Sequence, residues 1–134
     1  MNKTESLKKN RQFQEVYKKG ASRANKYLVM YVLENHQDVN FLGISVSKKV
    51  GNSVVRHRVK RLVKESYRLH EDIFNSGLNI VITARAAAAS ISYEKMESAV
   101  LHLGKLHNIL NRCSVSQEEA KPAQNVMEKS ENEV

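Results

Sequence analysis

Between residues 52 and 69 the apolar positions repeat with the period of a helix. With successive residues about 100° apart around the axis, one side of this segment is mainly apolar and the other is basic. The first side holds Val55, Val59, Leu62, Val63, Ser66 and Leu69. The second side holds Arg56, Lys60, Lys64 and Arg68 at four-residue intervals, with Arg61 beside them. Because Asn52 or Ser53 can cap the first turn, the pattern predicts one amphipathic helix after a break at Gly51.

Two segments upstream of this helix are typical of strands. Residues 27–33 are β-branched and aromatic, and residues 41–47 alternate large apolar residues with Gly43, Ser45 and Ser47. We expect these strands to pair as a hairpin across the polar turn at 34–40. The small residues of the second strand leave room either for a shallow groove beside Tyr31 or for a helix packed closely over them.

The remaining periodic segments complete one small α+β domain. Residues 10–19 predict a helix, residues 78–84 a buried central strand, and residues 93–111 a last helix. The core-facing stripe of that last helix is Met96, Val100, Leu103 and Leu110. With a short strand near residues 21–26, the order is α-β-β-β-α-β-α around one sheet. The polar lead-in at 1–9 is expected to be mobile.

The charge of the chain is concentrated in residues 1–112. The 134 residues carry a net charge of +8, but residues 1–112 hold 20 basic and nine acidic groups. A basic domain indicates nucleic acid or an anionic membrane surface as its partner. The sequence has no long apolar run and no N-terminal signal pattern, so we expect a soluble, cytoplasmic protein that does not bind membranes.

Residues 113–134 differ in composition from the domain before them. They are rich in Glu, Ser, Gln and Asn, contain Pro122, and carry two basic and five acidic groups. We therefore expect a disordered acidic tail at 113–134 after the basic domain at 1–112. The single cysteine, Cys113, excludes an internal disulfide framework and a cysteine metal site, and fits a reducing compartment.

The sequence offers no catalytic or metal-binding constellation. Asp38 and Asp72 are the two aspartates, and both are predicted in turns or at helix ends. No histidines pair at a four-residue spacing on a predicted helix, and no glycine-rich phosphate loop is present. The residues alone therefore predict a protein that binds nucleic acid without a catalytic or metal site of its own.

The basic helix and the first helix carry the candidate binding chemistry. Like charges in one row repel each other, whereas a polyanion with phosphates near the helical pitch of about 5.4 Å would stabilise them. On the first helix, Phe13 and Tyr17 stand among lysines and arginines. These aromatics fit either packing in the core or stacking on the bases of a single strand.

A larger set of residues resembles a known family. Residues 51–65, GNSVVRHRVKRLVKE, follow SVSKK at 45–49. Before them lie Phe13, Val16 and Tyr17, then Gly20 and the strand with Tyr31, and after them residues 80–85, in the same order and spacing as in the family. Over residues 5–110 the chain thus resembles the bacterial ribonuclease P protein component.

This resemblance implies the protein subunit of the ribonucleoprotein that removes the 5′ leader from precursor tRNA. Catalysis would belong to the RNA subunit with its magnesium ions, and no cofactor or obligate protein partner is expected for the protein. The implied fold has a mostly antiparallel sheet and a left-handed β-α-β crossover containing the basic helix. The positions that would contact the catalytic RNA are Arg56, His57, Arg58, Lys60, Arg61, Lys64 and Arg68. The cleft for the single-stranded leader would be lined by Phe13, Tyr17, Tyr31, Lys48 and Lys49.

Two positions depart from the family pattern. His57 stands where asparagine is usual, and Lys64 where arginine is common. Since an imidazole gains charge in mild acid, we expect RNA affinity to rise modestly from about pH 8 to 6. Lysine keeps its charge but cannot form a bidentate contact. Among the cations we expect Arg56, Arg58 and Arg61 to contribute most, followed by Arg68.

The alternative is a stand-alone nucleic-acid-binding protein, such as a ribosomal protein or a DNA regulator that reads a groove with the basic helix.

Overall fold

The computed structural model describes residues 3–110, which form five strands and three α-helices. The strands are β1 (Lys3–Ser6), β2 (Ala21–Ala24), β3 (Leu28–Glu34), β4 (Val39–Ser45) and β5 (Leu78–Ala84). The helices are α1 (Asn10–Lys19), α2 (Ser53–Leu69) and α3 (Tyr93–Leu106). Two short 3₁₀ turns, Glu71–Ile73 and Ala86–Ser90, follow α2 and β5. The predicted α+β class is confirmed, and the short second strand is present.

The five strands form one sheet in the order β1-β4-β5-β3-β2. The antiparallel pairings join β3 to β2 and β5, the latter over seven residues, while β4 is parallel to β1 and β5. The predicted hairpin between the strands at 27–33 and 41–47 is therefore wrong, because β5 lies between them. β5 is buried on both faces, and a strand of continuous apolar residues is most stable at that central position.

The N-terminal lead-in is also not as predicted, since β1 adds a strand at the edge of the sheet. The amide of Leu7 donates to the carbonyl of Leu42 over 3.0 Å, and Leu7 is buried. The hydroxyls of Thr4 and Tyr67 lie 3.0 Å apart. Strand β1 is polar and is held at the edge of the sheet by backbone hydrogen bonds. It needs no alternation of apolar residues, so the sequence periodicity did not predict it.

Strands β4 and β5 are adjacent and parallel, and α2 connects them. This is a β-α-β crossover with the basic helix in the connection, as the resemblance implies. Asn52 is the N-cap of α2, since its side chain accepts a hydrogen bond from the amide of Val55 over 3.0 Å. The left hand of the crossover stays an expectation of the resemblance.

The two faces of the sheet carry different layers. On one face, α2 and α3 enclose the main core, whose helical members include Val59, Val63, Met96, Val100 and Leu103. On the other face, α1 packs with Val16 against Val81 of β5. Leu69, predicted in the core, is 55% exposed. Tyr67 is buried there instead, beside Phe74 at a ring distance of 4.8 Å.

The last helix is shorter than predicted. It ends at Leu106, and Asn108 then takes a left-handed conformation with φ of 59°. Leu110 is buried, but it reaches the core through a bridge to Phe74 and not through the helix. The predicted tail at 113–134 and Cys113 lie outside the described residues. Over residues 3–110, no helix is long and apolar enough to cross a membrane.

Candidate RNA interface

The outer side of α2 presents a continuous row of basic side chains, here called the basic stripe. Because Val59 and Val63 are buried against the sheet, the helical period turns the opposite side of α2 to solvent. Five exposed residues make up this row: His57, Lys60, Arg61, Lys64 and Arg68. In the described part of the chain, Lys60, Arg61 and Lys64 form no ion pair. The stripe can therefore meet a polyanion without first breaking internal contacts at its centre.

The arginines of α2 differ in how far they are already engaged. Arg68 pairs with Glu65, with 2.7 Å between Nη2 and Oε2, and this hydrogen bond lowers the pKa of Glu65. Arg56 is half-buried and donates from Nε to the carbonyl of Gly51 over 3.2 Å. Arg58 turns inward and donates to the carbonyls of Ala89 and Ile91. Of the three arginines expected to contribute most, Arg61 alone is exposed in the described structure.

On the other side of the sheet, α1 and β3 bring together three half-buried rings, here called the aromatic face: Phe13, Tyr17 and Tyr31. The rings of Tyr17 and Tyr31 meet edge to face with centroids 4.8 Å apart. Those of Phe13 and Tyr17 are tilted and 6.5 Å apart. The aromatics contribute to a small core with Val16 and Val81 and also remain partly open to solvent. The rings are thus packed and also partly accessible, and stacking on the bases of a single strand stays a prediction.

Gly43 determines how closely α1 approaches the sheet. A Cβ at this position would lie 2.6 Å from Cζ of Phe13, so the ring rests directly on the glycine backbone. Of the two expectations for the small residues of this strand, close packing of a helix is therefore the outcome at Gly43.

Ser45, Thr83 and Val29 form the row of the sheet that follows the paired residues Gly43, Val81 and Tyr31, and this row lies outside the apolar cluster under α1. Ser45 pairs in register with Thr83, and Thr83 pairs with Val29. These three residues are half-buried, and the hydroxyl of Thr83 has no hydrogen-bond partner in the described structure. A strip of small side chains thus borders the aromatic face. The sequence pattern did not single out Thr83, although Asn79 and Thr83 are the two polar residues of the otherwise apolar strand at 78–84.

Lys48 and Lys49 lie just beyond the end of β4 that carries Ser45, and both are exposed. A tight turn holds them there, with the amide of Val50 donating to the carbonyl of Ser47 over 3.1 Å. This turn leads directly into α2. The two lysines therefore lie on the segment that connects the sheet to the helix of the basic stripe.

Residues 3–110 contain no group of three or more His, Cys, Asp or Glu side chains that could hold a metal ion.

Comparison with known proteins identifies the family of the chain. The sequence model of the family Ribonuclease P matches residues 1–108. The ribonuclease P protein component of Lachnoclostridium phytofermentans is 61% identical over 108 residues, covering 81% of this chain and 93% of the relative. That of Alkaliphilus oremlandii is 50% identical over 105 residues, covering 78% and 92%.

Solved structures agree with the sequence relatives. The fold is similar to that of the Staphylococcus aureus RNase P protein, with a TM-score of 0.73 and 36% identity over 79% of this chain and 97% of that one. The RNase P protein from Thermotoga maritima gives a TM-score of 0.70 at 28% identity, covering 75% and 96%. By sequence and by fold, this chain belongs to the ribonuclease P protein family.

Proposed function

We propose that this protein binds two RNAs at once as the protein subunit of ribonuclease P. The basic stripe binds the catalytic RNA, and the aromatic face with its adjoining strip holds the single-stranded 5′ leader of precursor tRNA. The observation that carries this proposal is the placement of the two surfaces on opposite sides of one sheet. A duplex binder needs one such surface, whereas a subunit that joins catalytic RNA to substrate needs two.

The stripe supplies electrostatic support for the catalytic RNA. With five phosphate contacts along α2, the affinity for RNA should fall by roughly two to three decades when the salt concentration rises from 50 to 200 mM. The same charges offset repulsion between the catalytic RNA and the substrate. In this proposal, the magnesium ions that support catalysis belong to the RNA subunit. The ribonucleoprotein acts in the cytoplasm.

The aromatic face supplies stacking surfaces for the leader. A base stacked on Tyr31 or Phe13 would add about 1 to 3 kcal/mol and would tolerate any sequence, because every base has a π-face. Lys48 and Lys49 are placed to neutralise phosphates of the strand that passes the end of β4. The small side chains of Ser45 and Thr83 leave space for bases beside the rings.

Cleavage of a precursor tRNA at low magnesium concentration tests the function. The reaction is run with the protein alone, with a bacterial ribonuclease P RNA alone, and with both. We expect efficient cleavage with the pair and none with the protein alone. If the protein adds nothing to the RNA, a stand-alone nucleic-acid binder becomes the better description.

Tyr31→Ala tests leader capture separately. The holoenzyme carrying this variant should lose about 1 to 3 kcal/mol of affinity for precursor tRNA with a long leader. Its affinity for mature tRNA, which has no leader, should stay at the wild-type value. Binding of duplex DNA serves as the control, since a groove reader on α2 would not use Tyr31. An equal loss for both tRNAs would contradict leader capture.

A further inference from the structure

Arg58 stands apart from the other cations of α2. Like Arg56 it is half-buried, whereas Lys60 and Arg61 near it are exposed. Its Nη1 donates to the carbonyl of Ala89 over 3.2 Å, and its Nη2 donates to that of Ile91 over 2.8 Å. The planar fork of a guanidinium suits two acceptors held side by side. Arg58 therefore uses both of its terminal nitrogens on the protein itself.

The segment that Arg58 holds is the connection from β5 to α3. It contains the 3₁₀ turn Ala86–Ser90 and ends at Ser92, whose side chain caps α3 by accepting from the amide of Lys95. Ala88 and Ile91 are buried in the main core. Residue 89 lies in the last turn of this 3₁₀ segment and residue 91 follows it, where carbonyls need donors from outside the turn, and the guanidinium donates to both.

This contact ties the basic stripe to the strand beneath the aromatic face. Arg58 belongs to the first half of α2, and the 3₁₀ turn it holds begins at Ala86, three residues after Thr83 of β5. At the other end of α2, Nε2 of His70 lies 2.6 Å from Oε2 of Glu97 on α3. The helix is thus anchored at two points to elements that follow β5.

We propose that Arg58 is a positioning residue and not a phosphate ligand. It holds the connection at 86–91 against α2 and so keeps the basic stripe in a fixed relation to the aromatic face. The inference rests on the proposed function for its effect on the leader, but not for the contact itself. A phosphate that bound through the same two N–H groups would displace both carbonyls.

Arg61 provides the matched control, since it is an exposed arginine of the same helix three residues away. In the free protein, Arg58→Gln should lower Tm by roughly 4 to 8 °C, while Arg61→Gln should leave it unchanged. Arg58→Lys keeps the charge but cannot hold both carbonyls, so its Tm should fall almost as far. A wild-type Tm in Arg58→Gln would overturn the proposal.

The salt dependence of binding to a ribonuclease P RNA separates positioning from phosphate contact. Loss of a phosphate ligand reduces the slope of log K against log salt by about 0.7 to 0.9. We expect this reduction for Arg61→Gln and no reduction for Arg58→Gln at a temperature where both are folded. A reduced slope in Arg58→Gln would make Arg58 a phosphate ligand and refute the proposal.

Leader preference distinguishes positioning from a purely structural role. The quantity measured is the affinity of the holoenzyme for precursor tRNA with a long leader, divided by its affinity for mature tRNA. Well below its Tm, Arg58→Gln should lower this ratio, and Arg61→Gln should weaken both affinities equally. An unchanged ratio with a lowered Tm would refute positioning and leave Arg58 a stabilising residue alone. If the wild type has no leader preference, leader capture fails, and positioning of the aromatic face fails with it. Tm and the salt slope still decide whether Arg58 binds phosphate.

Discussion

Gly43→Ala tests whether the floor of the aromatic face is packed as described. The new Cβ would lie 2.6 and 2.8 Å from two ring atoms of Phe13 and 3.1 Å from Cδ1 of Leu7. Carbon atoms in contact prefer about 3.5 to 4.0 Å, so the ring must move outward by about 1 Å. Overpacking of this kind costs about 1 to 3 kcal/mol.

The magnitude can be isolated with a double-mutant cycle against Phe13→Ala. Without the ring, the nearest neighbour of the new methyl group is Cδ1 of Leu7 at 3.1 Å, the end of a flexible side chain. Alanine is favoured over glycine in a strand by roughly 0.5 to 1 kcal/mol. Gly43→Ala should therefore be neutral or slightly stabilising in the Phe13→Ala background. The expected coupling energy is about 2 kcal/mol.

Urea unfolding of the four proteins measures this coupling, with an unchanged m-value as the check that the transition stays two-state. If Gly43→Ala costs the same in both backgrounds, the ring of Phe13 does not rest on Gly43. The description of the aromatic face as a closely packed layer would then be wrong.

Three further changes test other parts of the structure. Asn40 is buried, accepts a hydrogen bond from the amide of Leu78 over 2.9 Å and donates two others. Asn40→Ala should therefore lower the free energy of unfolding in urea by about 2 to 5 kcal/mol. A loss below about 1 kcal/mol would contradict that network. Affinity for the RNA subunit should rise modestly from about pH 8 to 6 and should become flat in His57→Asn, and an unchanged profile in the variant would exclude His57 as the cause. Burial lowers the pKa of His107 despite its hydrogen bond to the carbonyl of Met30. As the pH falls, the unfolded chain therefore binds a proton at this histidine before the folded protein does. Stability should therefore fall as the pH drops below about 6.5 and on through the folded-state pKa, and His107→Gln should reduce this slope in urea midpoints measured against pH.

The local elements could be predicted because each one carries its own period. Helix α1 has the predicted bounds, and α2 begins at Ser53, directly after its predicted cap Asn52. The basic stripe also follows from the sequence, since burial of Val59 and Val63 fixes which side of the helix faces solvent. The aromatic residues were found for the same reason, although their period alone did not separate core packing from an accessible surface.

The partners of these elements could not be predicted from a local pattern. Strand β5 displaces the expected hairpin because burying its continuous apolar surface on both faces outweighs the short connection between β3 and β4. Strand β1 has no apolar period, and its place depends on backbone groups of β4 and on the hydroxyl of Tyr67.

The sequence by itself determined the α+β class, the cationic side of α2 and the family resemblance that the comparisons confirm, because these depend on residue type and spacing. The tertiary structure decided which cations remain exposed: Arg61 faces solvent, whereas Arg58, three residues earlier, holds two carbonyls more than 30 positions away in the chain. The physical reason is that a charged side chain is drawn both to solvent and to buried acceptors. Which of the two it reaches depends on the distant backbone that the fold brings beside it.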